Sequence, residues 1–495
     1  MNGSWRWQVC VAAFLLVGLA LALAVTLPLI SWAPELSWHD QQRIGQIAVM
    51  ACAFLGGAMA FRPGGLTSLV LLARGDRYLI GVLITAAVAS ALQAPYMLWA
   101  FTEVALGVAC LGLGWLVAFL RRFYGSIVDR VLLLALCFTC AGLAARFVAA
   151  YLAAVLGEDR IFDAWLLVDG FSNPRFYGQF LTLALPMLAA PLLMQGGTRR
   201  YAPMAGLLIV LMWTAAITSG TRGTWLGMAC AALVLVCVGP VGRRWVALQG
   251  VGAIAGVGLF WLALTVVPDW LGASVSHHAA SKLSTSLSGR EIIWRQAIEA
   301  ALSHPLLGIG PMQLANLPNG VAAHPHQAWL QWAAELGLPS ALLVTWLVLR
   351  GARALFPVLR ARAGSTREQD VLRLCLAGSV VAALAQSMVD GVLVMPYSQL
   401  WLALLAGWLV GLQPQVGTFG SASFASNVKS RRTPAVWMAG FAGAVLLLGY
   451  IVARDYPHLA QREEEFAQTF GGHFEPRFWA QGVIASRALK MGSNN

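Results

Sequence analysis

Residues 131–156 read VLLLALCFTCAGLAARFVAAYLAAVL, an unbroken apolar run with a single charge, Arg146. As a helix rising 1.5 Å per residue, it is long enough to cross a hydrocarbon core of about 30 Å. Further apolar blocks lie at roughly 8–30, 45–61, 78–97, 99–120, 178–195, 203–219, 224–241, 246–267, 328–349, 371–394, 397–413 and 434–452. Hydrophobic residues make up 59% of the chain, charged residues 11%, and the mean hydropathy is +0.71. A soluble globular protein carries about 25% charged residues and could not hide so much apolar surface. The pattern predicts an all-α polytopic membrane protein with about 12–13 transmembrane helices. The first block has no small-residue cleavage site and is followed by many others, so it reads as an anchor rather than a removed signal peptide.

The formal net charge is +12, carried by arginine; Lys282, Lys429 and Lys490 are the lysines. The arginines sit in short loops between apolar blocks, the pattern of topology-setting charge rather than of a nucleic-acid surface. With a cytoplasmic N-terminus, the inner loops hold Arg62, Arg74 and Arg77, then Arg121, Arg122 and Arg130, Arg199 and Arg200, and Arg243 and Arg244. Later inner loops hold Arg350 to Arg367 and then Lys429, Arg431 and Arg432. Two longer connections fall on the outer face, Glu158–Phe176 and Pro268–Gln327. A connection as long as the second is usually functional. The expected organisation is a transmembrane domain over 1–452, including the outer loop 268–327, and a short polar tail over 453–495. The eight cysteines all lie in apolar blocks, and the CxxC formed by Cys137 and Cys140 has no histidine nearby, so neither a disulfide framework nor a zinc site is expected.

Three arginines break the outer face's poverty in positive charge. Arg222 lies in a small-residue turn, TSGTRG at 218–223. Arg290 opens REIIWRQAIEAALSHPLL, whose Ile292, Ile293, Ala297 and Ala300 predict an amphipathic helix on the membrane surface. Arg175 ends FSNPR. A guanidinium stays charged in a low-dielectric site and grips two phosphate oxygens at once. The plainer reading, snorkelling to headgroups or pairing with an acid, stands beside the phosphate reading for each, most strongly for Arg175.

His324-Pro325-His326-Gln327 leads into AWLQWAAELGLP. Histidine is the usual general base near neutral pH, and Pro325 keeps the two imidazoles off a common helix. Glu335, in the apolar stretch that follows, needs a partner such as an arginine, and Asp390, near the outer end of a span, could fix a histidine tautomer or an arginine. His277, His278 and His304 read as solvated or structural, and no metal-ligand spacing is evident.

Together these residues resemble the O-antigen ligase / bacterial O-oligosaccharyltransferase superfamily. The features are a histidine–amide pair leading into Leu-x-x-x-x-Glu-x-Gly, a Gly289-Arg290-x-x-x-Trp294 helix, HPLLGIG between them and a Thr218-x-x-x-Arg222-Gly223 turn upstream, all within roughly 214–340. The resemblance implies a GT-C-like fold in the bacterial inner membrane with its active site facing the periplasm. It implies a metal-independent, inverting enzyme without cofactors that moves a glycan from undecaprenyl diphosphate to an acceptor hydroxyl. The acceptor would be a lipid A-core sugar or a Ser or Thr of a pilin or other protein. By the resemblance, His326 is catalytic, Arg222 and Arg290 bind the diphosphate, and His324, Gln327, Glu335, Asp390 and Arg175 support them. Gln327 stands where the family usually has asparagine. Two other readings remain: a polymerase acting on lipid-linked repeats, and a lipid-linked-glycan flippase or transporter. Transport would call for several mid-span charges and repeat symmetry, whereas Glu103 and Arg146 are the main mid-span charges and no repeat is evident.

Overall fold

The chain folds as a bundle of α-helices that run back and forth between two ends. The structure, a computed structural model, describes residues 3–60, 73–157, 161–276, 289–317, 319–413, 432–470, 474–482 and 484. His277, His278, Arg62, Glu158, Lys282, Lys429, Arg431 and Lys490 lie outside the described residues. The first half contributes α1 (Gly3–Thr26), α2 (Trp38–Ala60), α3 (Arg74–Leu92), α4 (Met97–Tyr124), α5 (Ser126–Leu156), α6 (Pro174–Leu188) and the single turn α7 (Ala190–Leu193). Then come α8 (Ala202–Thr218), α9 (Arg222–Val236), α10 (Pro240–Trp261) and α11 (Val267–Leu271), the last two joined through a π-helical turn into one rod. The long connection is organised by α12 (Arg290–Ser303) and α13 (Ala328–Leu336). The second half supplies α14 (Leu338–Ala361), α15 (Glu368–Ser387), α16 (Pro396–Leu412), α17 (Arg432–Asp455) and α18 (Leu459–Phe470). Two three-residue strands, β1 (Ile161–Asp163) and β2 (Ser274–Ser276), pair in parallel and tie together the two long connections.

Among the described residues, nine helical stretches are long and apolar enough to cross a membrane, and three shorter apolar helices accompany them. The fold is an all-α multi-pass membrane protein. Its centre is α6 and α15: the span containing α6 has 94% of its apolar window buried, against 6% for α14 at the periphery. The outward faces present large apolar side chains such as Leu233, Ile254, Leu342 and Leu446, which suits hydrocarbon rather than water.

One end of the bundle is a belt of short basic connections. Gln195 N–H donates to the Thr366 carbonyl at 3.2 Å and Val241 N–H to that of Ala363 at 2.9 Å. Arg373 donates to Leu412 O at 2.7 Å, and Arg121 pairs with the buried Asp129 at 2.6 Å. The opposite end gathers the starts of α6, α9, α13 and α16 with the close of α15.

Two details depart from the sequence reading. The apolar block 328–349 is not one span. It breaks at Gly337, which holds φ +84° with the Leu306 carbonyl oxygen 2.2 Å from where a β-carbon would stand, and Pro339 then sits in the first turn of α14. Hence α13, with Gln331 and Glu335, is a separate short helix. The second departure concerns α12. The small residues of its buried stripe, Ala297, Ala300 and Ala301, pack on Ala333 and Ala334 of α13, Ile293 is also buried, and Ile292 is exposed. Small side chains on both helices permit that close approach.

Candidate functional site

The start of α6 is fixed by Asn173, whose side chain accepts from Arg175 N–H at 2.9 Å, and by Pro174 in the first turn. The turn before α9 docks against it. Ser219 and Thr221 hydroxyls meet at 2.9 Å, Thr221 donates to Pro174 O at 3.4 Å, and Thr224 donates to Gly178 O at 2.8 Å. Arg175 and Arg222 therefore stand in the first turns of two neighbouring helices, whose amide ends already favour anions. Arg290 opens α12 nearby. Burial lowers the pKa of its guanidinium, the positive charges of Arg175 and Arg222 lower it further, and the Asp390 carboxyl opposes them. Three cations and one acid thus share a single electrostatic neighbourhood.

His326 faces this cluster from an irregular loop. Its backbone is left-handed, at φ +53°, uncommon for a residue with a β-carbon. Neighbours impose that conformation. His324 Nδ1 accepts from His326 N–H at 3.2 Å, Trp294 Nε1 donates to the Pro325 carbonyl at 2.9 Å, and Gln327 caps α13 by accepting from Leu330 N–H. His324 is buried with its ring 4.2 Å, centroid to centroid, from that of His326. A β-carbon on Gly391 would lie 2.7 Å from His324 Cε1, so only glycine lets the turn after α15 close on this ring. Because His324 Nδ1 accepts a hydrogen bond, its neutral ring carries the proton on Nε2.

Burial pushes the imidazole of His326 down to about 3, and Arg290 and then Arg175 add to the effect. It is neutral at physiological pH and able to accept a proton. His324 is also held well below the usual range, first by burial, then by the His326 ring and by Arg477 and Arg290. Asp390 Oδ1 lies 3.8 Å from His326 Nδ1, which has no hydrogen-bond partner among the described residues. The Asp390 carboxyl accepts from Gln179 at 3.0 Å, Gln386 at 3.2 Å and Gly391 N–H at 2.8 Å. Burial raises its pKa, while Gly391 N–H, Arg175, Gln179 and Arg290 pull it back.

Seven of the eight residues picked from the sequence meet here: Arg175, Arg222, Arg290, His324, His326, Gln327 and Asp390. Gln327 serves as a helix cap. Glu335 stands apart on the far face of α13, and its partner is Arg477 at 2.7 Å. Arg477 also reaches Glu103 at 3.3 Å. With its amide oxygen facing the guanidinium, Gln331 accepts from both terminal nitrogens at 2.9 Å. The sequence reading missed Arg477 and Gln179. Gln179 left a trace as an amide inside an apolar block, whereas Arg477 lay in a stretch read as polar tail. The His304 ring lies away from this cluster, its Nδ1 3.0 Å from the Ser303 hydroxyl.

The segment that carries most of this site resembles a known family in sequence. Residues 207–345 match the family model described as O-antigen ligase, and the motifs over 214–340 fall wholly inside that match. The likeness to the O-antigen ligase-like superfamily holds over this segment of a multi-pass membrane chain. No curated protein matches the chain.

Proposed function

We propose that the protein transfers a glycan from undecaprenyl diphosphate to an acceptor hydroxyl at the periplasmic face of a bacterial inner membrane. The observation that supports this reading best is the convergence of Arg175 and Arg290 on a neutral His326 backed by Asp390, with Arg222 adding its charge beside Arg290. In the proposed reaction the acceptor oxygen attacks the anomeric carbon, and the bond from that carbon to the diphosphate oxygen breaks. The electron pair leaves with the diphosphate, whose growing charge the guanidiniums offset, so the step asks for no metal. His326 takes the proton from the acceptor hydroxyl, and Asp390 steadies the imidazolium that results. Attack opposite the leaving group inverts the anomeric centre. A diphosphate leaves without protonation, so no second carboxylic acid is required.

The test is transfer by purified protein in nanodiscs, supplied with undecaprenyl-diphosphate glycan and, separately, lipid A-core or a pilin as acceptor. Arg222→Lys keeps charge but loses the fork and should retain a little activity, whereas Arg222→Ala should lose nearly all. Transfer to one acceptor alone names the acceptor class. Equal activity of Arg222→Ala and parent would remove the diphosphate role from that residue.

A further inference from the structure

We propose that Arg477 is a positioning residue for His326, which makes the segment 474–482 a working part of the site; this rests on the function proposed above. Glu335 and Arg477 are both nearly inaccessible, with side-chain exposures of 3% and 0%. Burial raises the pKa of the Glu335 carboxyl, the Arg477 guanidinium 2.7 Å away pulls it back, and the Glu103 carboxylate raises it again. Through that pair and Gln331, Arg477 grips the buried face of α13, the helix that begins two residues after His326.

Its own backbone is anchored in turn. Arg43 of α2 donates to the carbonyls of Arg477 and Phe478, each at 3.1 Å. The same Arg43 donates to Val394 O at 2.7 Å, in the turn that follows Asp390. Asp40 accepts from Ala480 N–H at 2.6 Å, and Asp455 accepts from Trp479 Nε1 at 2.8 Å. A β-carbon on Gly482 would stand 3.0 Å from Ala323 Cβ, directly before His324. The segment thus touches both halves of the site, the histidine loop through α13 and Ala323, and the Asp390 turn through Arg43. Arg477 itself meets no reacting group; it sets where His326 stands relative to Asp390.

The experiment compares parent, Arg477→Gln, Arg477→Lys and the neutral pair Arg477→Gln with Glu335→Gln, in nanodiscs. The double variant removes both members of the fully buried pair and leaves only the half-buried Glu103 without its cation, so it keeps the question open to measurement should the single variant fail to insert. Hydrogen exchange over 322–336 should quicken about tenfold in both Gln forms. The kcat should fall by about 10²-fold while binding of undecaprenyl diphosphate stays near the parent value. Arg477→Lys should recover part of both. Unchanged exchange over 322–336 in the folded variants would overturn the proposal, as would loss of donor binding in parallel with kcat. Exchange needs no substrate, so it decides the positioning role separately from whether the parent transfers glycan.

Discussion

A left-handed backbone at a residue bearing a β-carbon costs about 1–3 kcal/mol and persists only where its surroundings enforce it. At His326 the enforcing contact is the N–H donated to His324 Nδ1. The two imidazoles, adjacent in the sequence, therefore do different work, and alanine should separate them. A general base contributes about 10²–10⁴-fold to rate, so His326→Ala should abolish detectable transfer while the protein still inserts and binds donor. His324→Ala should leave clear residual activity with His326 less firmly held. Transfer near the parent rate by His326→Ala, with expression measured alongside, would mean that the proton goes elsewhere. The pH profile carries a second prediction. The pKa of His326 is depressed, so its neutral, active form is lost only as pH falls through about 3, not through the ordinary value near 6.5. The acid limb of kcat/KM, which reports the free protein, should therefore be missing around pH 6.5. Bound diphosphate offsets Arg290 and Arg175 and raises the imidazole pKa, so the acid limb of kcat should lie at higher pH. A kcat/KM that halves near pH 6.5 would show His326 to be unperturbed.

At the scale of the elements, what was legible was what depends on local pattern. Length and apolarity marked the spans, since lipid demands about 20 apolar residues per crossing whatever the tertiary packing. The arginine, histidine and aspartate motifs were visible because small-residue turns and prolines break helices at the site. Gly337 was harder to weigh, because an isolated glycine can also sit inside a helix and its consequence depends on the Leu306 carbonyl beside it. Arg477 was illegible for a similar reason: only the fold brings it to Glu335, 142 positions away. The amphipathic stripe of α12 was seen, but whether such a stripe meets lipid or another helix is not written in its period. Trp294 joins the two levels, standing in a legible motif and donating to Pro325 O on the His326 loop. Trp294→Phe keeps the ring and deletes the donor. It should lower kcat about tenfold, since the net worth of such a bond is about 0.5–1.5 kcal/mol, with donor binding unchanged. Parent kcat in Trp294→Phe would show that the loop is held without it.

At the scale of the whole molecule, the two ends of the bundle differ in kind. The basic belt carries Arg121, Arg122, Arg199, Arg200, Arg243, Arg244, Arg360 and Arg362 on helix ends and short connections, and the other end carries the long connections that form the site. Positive charge near span ends is retained on the cytoplasmic side during insertion, so the belt is expected inside and the site outside. That sidedness matters for chemistry. In the proposed reaction a polyprenyl-diphosphate glycan and its acceptor meet on the face that carries Arg222, Arg290 and His326, and were that face turned inward, cytoplasmic nucleotides would compete for those arginines. Two exposed positions can report it, Arg360 at the end of α14 and Glu299 on the outer side of α12. In a background whose native cysteines are replaced, Glu299→Cys should react in intact spheroplasts with a maleimide that cannot cross the membrane. Arg360→Cys should react only after the membrane is opened. The two residues lie at opposite ends of the bundle, so a single orientation cannot label both from outside. Labelling of Arg360→Cys but not Glu299→Cys in sealed spheroplasts would invert the topology and, with it, the compartment in which any glycan transfer takes place.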